Sequence, residues 1–183
     1  MGIEQAKVSD VVSAGLVMNP AYTEGSESPF FTYRVECVAP DGAVKWTEEI
    51  HNVVTRVGKG DLIDKYFKGS TYTAAWYMGL KGTGTAASTD TLASHAGWTE
   101  VTPYSGNRPA ITFGTTSTAA DTVTNQATAV AYTINATATV AGAFVAAAAS
   151  GTSAILYSAS DFSASRSVAS GDTLNVTLTI SMA

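Results

Sequence analysis

The sequence predicts a mainly β protein: an antiparallel β-sandwich or jelly roll with one short α-helix and an extended N-terminal arm. Three observations carry this. Apolar and polar residues alternate in many short runs, most cleanly where Leu174, Val176, Leu178 and Ile180 point one way and Thr173, Asn175, Thr177 and Thr179 the other. Gly, Asp, Ser and Asn separate these runs at spacings that favour two packed antiparallel sheets over a parallel one. Only one stretch, residues 60–69, has helical spacing. The division is an N-terminal arm or extension, 1–29, and a single β-sandwich domain, 30–183. A chain of 183 residues can bury roughly 70% of its extended surface without disulfide or metal.

Residues 1–29 end in Thr23-Glu24-Gly25-Ser26-Glu27-Ser28-Pro29, a polar linker composition. Val8 to Met18 is aliphatic without a clean period, so it is expected to order only against a partner. From Phe30 to Val38, Phe31, Tyr33, Val35 and Cys37 share one face and Thr32, Arg34 and Glu36 the other, the pattern of a half-buried strand. Ala39-Pro40-Asp41-Gly42 supplies a turn, and Ala43 to Ile50 alternates again through Val44 and Trp46. A hairpin is predicted.

The stretch from His51 to Leu80 combines a helical pattern with dense large apolar side chains and is predicted to anchor the core. Leu62, Ile63, Tyr66 and Phe67 form one apolar stripe, Asp61 and Asp64 occupy the N-terminal end, Lys65 and Lys68 the C-terminal end, and Gly69 stops the helix. Tyr72 to Leu80, with Trp76, Tyr77 and Met78, reads as a buried strand, and 81–90 as a small-residue loop. A helical turn is expected over Thr91 to Trp98 and a break at 104–109, with Trp98, Val101 and Tyr104 closing the core edge. Further strands are predicted at Pro109–Phe113, Ala127–Ile134, Thr137–Val145, Ala154–Ser158 and Thr173–Ser181. Ala127, Ala129, Ala131 and the run 141–149 bury little area per residue, so association is expected to support the fold.

Charged residues are only 14% of the chain against roughly 25% in ordinary soluble domains, the composition of a surface that is covered. A net charge of −5 without a Lys/Arg cluster argues against nucleic acid, and the longest apolar run, 140–149, is too short for a membrane span. The start of the chain lacks a signal-peptide pattern, which predicts synthesis in the cytoplasm without an export signal. Cys37, the single cysteine, reads as a small buried hydrophobe.

Every candidate for chemistry has a simpler structural reading. His51 and His95 lack metal-ligand spacing. Ser94-His95 with Asp90 resembles part of a triad, but no nucleophile elbow accompanies it. Glu48-Glu49 and Asp61-Asp64 are carboxylate pairs better explained as a strand edge and a helix start. The glycines of 81–90 lack phosphate-cradling spacing. Trp46, Trp76, Tyr77 and Trp98 suit core packing better than a sugar platform. Asn135-Ala136-Thr137 and Asn175-Val176-Thr177 match the glycosylation pattern but read as strand and turn chemistry. No catalytic, cofactor-binding or metal residue is assigned, and no enzyme is expected.

His51-Asn52-Val53-Val54-Thr55, Gly58 with Asp61-Leu62-Ile63-Asp64, Thr73-Ala74-Ala75-Trp76-Tyr77-Met78-Gly79-Leu80, Ser94-His95-Ala96-Gly97-Trp98-Thr99-Glu100 and the closing Ser170–Thr177 together resemble small virion proteins of tailed bacteriophages, including capsid cement or decoration proteins. The likeness runs from about residue 45 to the end. It implies a jelly-roll β-sandwich that binds the outer face of an assembled capsid, with the major capsid protein and further copies of itself, as a homodimer or homotrimer, for partners. It carries no catalytic residues. Val8 to Phe31 is the expected segment ordered on a neighbouring subunit, and loops 81–90 and 103–109 are the expected contacts. A tail or head-fibre attachment piece is the alternative within virions, and a glycan-binding module the alternative of another class.

Overall fold

The structure, a computed structural model, describes residues 29–182. In chain order they form β1 (Phe30–Val38), β2 (Val44–His51), β3 (Val53–Val54), α1 (Arg56–Tyr66), β4 (Tyr77–Gly84), β5 (Trp98–Val101), β6 (Thr122–Thr124), β7 (Val130–Thr133), β8 (Ala138–Ala146), β9 (Leu156–Val168) and β10 (Thr173–Ser181), with a 3-10 turn at Gln126–Thr128. Two antiparallel sheets face each other, as the sequence predicts. One runs β2-β1-β10-β6 with β7 also on β10, the other β3-β9-β8-β4-β5.

The best-patterned segments form the first sheet. β1 pairs along its whole length with β10, from Phe30 opposite Ser181 to Val38 opposite Thr173. The β1–β2 turn is the predicted one: Gly42 takes φ +86° and Asp41 Oδ1 accepts the Ala43 N–H at 3.0 Å. Phe31, Tyr33, Val35, Leu174, Val176 and Leu178 meet Met78, Leu80, Val140, Ala143 and Val145 of the second sheet. Two buried phenols tie the sheets together. Tyr132 donates to the Met78 carbonyl at 2.7 Å, and Tyr33 bonds the Ser158 hydroxyl. Burial pushes both phenols far up, so they stay neutral.

At one end of the first sheet Asp172 accepts from Lys45 Nζ at 2.6 Å and the Ala169 N–H at 2.8 Å, with the Cys37 thiol 3.7 Å away. The bonded Lys45 ammonium holds the Asp172 carboxyl below its usual range, and burial only partly opposes it. A carboxylate whose folded pKa is depressed stabilises fully above its unfolded pKa and loses that contribution as pH falls through the folded value. The melting temperature is therefore expected to be flat down to about pH 5 and to fall below about pH 4. In Asp172→Asn the acid limb should flatten; an acid limb identical to the parent's would refute the assignment.

The helix departs from its prediction. It begins at Arg56 rather than near 60, capped by Thr55, whose hydroxyl accepts the Gly58 N–H at 3.0 Å and donates to the Leu156 carbonyl. Asp61 and Asp64 are consequently not at its N-terminal end. Asp61 accepts from the Tyr157 phenol at 3.0 Å and Asp64 pairs with Lys68 at 3.0 Å. Gly69 does supply the left-handed stop, with φ +75°. The apolar stripe does not anchor the core: Ile63, Tyr66 and Phe67 are 58%, 85% and 82% exposed. Gly58, the helix's buried residue, docks the first turn on β9 at Tyr157, so the C-terminal turns project past the sheet.

Other boundaries also move. The strand expected over 72–80 is β4, which starts at Tyr77 and absorbs residues 81–84 of the expected loop. Thr91 to Ser94 closes as a turn through paired backbone bonds rather than a helical turn, and Trp98 opens β5. Pro109–Phe113 forms no strand and only bridges Tyr77 at Ala110. The expected 127–134 strand starts only at Val130 after the 3-10 turn, and 154–158 is the beginning of the thirteen-residue β9. The predicted N-terminal arm covers residues 1–29, of which 1–28 lie outside the described residues.

Candidate interaction surface

β4 and β8 lie in the middle of the second sheet and are buried on both faces. On the face away from the sandwich interior Gly79 sits opposite Phe144, and the Phe144 ring fills the space above it; a Cβ at Gly79 would lie 2.1 Å from the ring. The Trp98 ring packs on Phe144 at 5.2 Å, and the His95 ring stacks on Trp98 at 4.0 Å. Ala86, Leu92, Ala146, Leu156 and Ala159 complete a second small core under the segment 85–98.

Five charged side chains hold this cover down by turning inward. Lys81 is fully buried and reaches Asp161 Oδ1 at 2.6 Å and the Gly82 carbonyl at 3.2 Å, with the Trp98 ring 5.7 Å from its ammonium. Asp161 Oδ2 accepts the Ala86 N–H at 3.1 Å. Asp90 accepts the Trp98 indole N–H at 2.8 Å and the Ala87 N–H at 2.9 Å. Arg108 lies over Phe144 at 5.3 Å, grips Glu100 through two bonds of 2.8 and 2.7 Å, and donates to the Ala148 and Gly151 carbonyls at 3.1 Å. Planar bidentate pairing of this kind fixes geometry as well as charge.

The outer surface is the consequence. Between residues 82 and 107 every exposed position is Thr, Gly, Ala, Ser or Asn, and Ser150, Gly151, Thr152 and Ser153 extend the same chemistry. Such a face sheds water at low cost compared with a charged one, and loops already braced lose little entropy on docking. Both loops picked out from sequence, 81–90 and 103–109, contribute to it, but only through part of their length: Lys81, Ala86, Asp90, Tyr104 and Arg108 are buried.

The other candidates are placed apart. Asp90 and His95 each bond Trp98, the latter through Nδ1 at 2.9 Å from its carbonyl, so Ser94, His95 and Asp90 do not form a relay. Glu48 is buried and paired with Arg166 and Ser163, whose bonds outweigh the upward push of burial and hold its carboxyl low; Glu49 is exposed on the opposite face. His51 is exposed and bonds Thr32 at 3.2 Å. Burial, reinforced by Asp172, pushes the Cys37 thiol up to about 11. Trp76 stacks on Tyr157 at 4.2 Å, Trp46 meets Phe162 edge-on at 5.9 Å, Trp98 is in the second core and Tyr77 opens β4 half-buried. Among the described residues no three His, Cys, Asp or Glu side chains are grouped to hold a metal, and no helix is long and apolar enough to cross a membrane. Of the segment Val8 to Phe31, Phe31 is buried in β1 of its own sheet and residues 8–28 lie outside the described residues. The ion pairs at Lys81 and Arg108 were not assigned from sequence. Their signal is faint: a lysine closing the apolar run Tyr77-Met78-Gly79-Leu80, and an arginine held between Asn107 and Pro109.

A second surface feature flanks α1. An apolar groove of about 580 Å³ is lined by Pro29, Phe31, Ile63, Tyr66, Trp76 and Met182, among others. Phe31, Tyr157 and Phe113 support Trp76 from below.

No protein-family model, no curated protein and no solved structure matches this chain.

Proposed function

We propose that this chain is a bacteriophage virion structural protein, a cement protein that binds the outer surface of the assembled capsid and stabilises it. Its partners in this reading are the major capsid protein and further copies of itself, as a homodimer or homotrimer, and its role is binding rather than catalysis. The observation that carries the reading is the braced face over the second sheet, whose exposed positions are Thr, Ser, Gly, Ala and Asn while Lys81, Asp90, Glu100, Arg108 and the half-buried Asp161 are spent on internal pairing. The low charge of the whole chain and the likeness of its motifs to virion proteins support it further.

Stabilisation follows by linkage: a protein that binds only the assembled shell lowers the free energy of that state, by about 2.7 kcal/mol per site at a hundredfold excess over Kd. Symmetric copies convert weak contacts into avidity. The test is cosedimentation with capsids of the encoding phage stripped of this protein, beside the mass of the free protein by light scattering. Saturable binding at a symmetry-related ratio, with a rise in capsid melting temperature, is expected. Thr85→Glu with Asn107→Asp, both at exposed positions, should weaken binding by about tenfold or more through unpaired charge in the contact, leaving the protein's own melting temperature unchanged. Absence of binding to intact capsids would overturn the reading and move the weight to a tail or host-glycan role.

A further inference from the structure

The groove beside α1 poses a separate question, because large side chains there face outward without a core to enter. Tyr66 and Phe67 touch each other edge-on at 5.5 Å and are 85% and 82% exposed, with Ile63 and Met182 at 58% and 61%. Contiguous apolar surface of this kind marks a docking site. We infer that the groove is the seat of this chain's own residues 8–18, Val8-Ser9-Asp10-Val11-Val12-Ser13-Ala14-Gly15-Leu16-Val17-Met18.

Three observations select that occupant. First, the chain outside the described residues ends at the groove itself: residue 28 is followed by Pro29, which lines it. From Met18 to Pro29 the backbone spans at most about 40 Å, while α1, at eleven residues, is only about 16 Å long, so the segment reaches every part of the groove. Second, residues 8–18 are the densest apolar stretch of the first 28: Val8, Val11, Val12, Leu16, Val17 and Met18 fall there, against Met1, Ile3 and Tyr22 as the large apolar side chains elsewhere. Third, the charges are complementary. Residues 1–28 carry Glu4, Asp10, Glu24 and Glu27 against Lys7, an excess of acid, whereas Arg56 to Lys68 carries Arg56, Lys59, Lys65 and Lys68 against Asp61 and Asp64, an excess of base. A tether this short also gives the chain's own segment an effective concentration on the order of millimolar, which a second copy in dilute solution does not match. The inference stands on the groove and does not depend on the capsid reading.

The experiment places a nitroxide on Ala14→Cys in the full-length chain, where native Cys37 is buried and stays unlabelled. Methyl signals of Leu62, Ile63 and Ile180 are then read by NMR against the reduced label. With the groove occupied most of the time these signals should lose about fivefold or more in intensity. In a mixture of spin-labelled, isotope-silent chains with isotope-labelled, spin-free chains they should lose nothing. Tyr66→Asp, at a position exposed enough to leave the fold intact, should restore the signals in the first sample. Undiminished signals in the first sample overturn the inference, and so does loss in the mixed sample, which would assign the groove to a second copy. Signals still quenched in Tyr66→Asp would place the segment elsewhere and overturn it too.

Discussion

Asp161→Ala is expected to cost about 3 kcal/mol of folding stability, because it leaves the ammonium of Lys81 buried without its counter-ion. The Lys81 side chain has no exposed surface and its Nζ lies 2.6 Å from Asp161. Removing one partner of a buried pair typically costs 3–5 kcal/mol, and the lower end applies roughly because Lys81 keeps the Gly82 and Gly84 carbonyls. At this chain length that is a fall in melting temperature of about 6–12 °C. The Ala86 N–H also loses its acceptor, which loosens the start of the segment covering Phe144 and Trp98. Adding Lys81→Met should recover more than half of the loss, since a methionine fills the same slot without charge. Thermal unfolding of both variants checks this. A single variant within 0.5 kcal/mol of the parent, roughly the scale of a surface change, or a double variant no better than the single, would show that the pair is not what holds the cover down.

Two glycines two residues apart in sequence should respond to alanine with opposite signs. Gly58 and Gly60 both lie in α1, where alanine is favoured over glycine by about 1 kcal/mol from backbone entropy and helix propensity. At Gly60 nothing lies within 4 Å of an added Cβ, so Gly60→Ala should raise the melting temperature by about 2–4 °C. At Gly58 the Cβ would sit 2.7 Å from the Tyr157 carbonyl oxygen and 2.8 Å from its Cα, both backbone atoms of a central strand. They cannot move aside. Overpacking of this kind costs about 1–3 kcal/mol, and here the helix must lift from β9, straining the Thr55 cap and the Tyr157–Asp61 bond. Gly58→Ala should therefore lower the melting temperature by several degrees, about 4–8 °C if the net cost is near 2 kcal/mol. A rise in Gly58→Ala would mean that the helix does not rest on Tyr157.

Legibility from sequence followed the environment of each strand. β1 and β10 have one face in the core and one towards solvent, so Phe31, Tyr33, Val35 and Cys37, or Leu174, Val176 and Leu178, stand out at period two. β8 and the first part of β9 have no such contrast. Their outer faces are covered by 85–98 and by Arg108, so Phe144 and Val145 are equally buried on opposite sides and the alternation vanishes. For the same reason the sequence pattern starts β4 too early and ends it too soon, since Lys81 looks like the start of a polar loop until Asp161 is seen beside it. The helix misled in another way. Spacing alone showed that Leu62, Ile63, Tyr66 and Phe67 share a stripe, and spacing has no means of saying which body the stripe faces.

By itself, then, the sequence determined the class of fold, the β1–β2 hairpin, the closing strand, the left-handed stop at Gly69 and the burial of Cys37. Each of these depends on local chemistry: a turn residue, a period, a small apolar side chain at an inward position. Only the tertiary structure decided that the charges of the 81–108 region turn inward, that Gly58 is a contact point rather than a weak helix residue, and that the apolar face of α1 is left to meet something other than the sandwich. The first two rest on partners far along the chain, 80 positions for Lys81 with Asp161 and 99 for Gly58 with Tyr157. A residue's own neighbours in sequence carry no record of such partners, because long-range pairing is fixed by the register of whole strands and not by any single side chain.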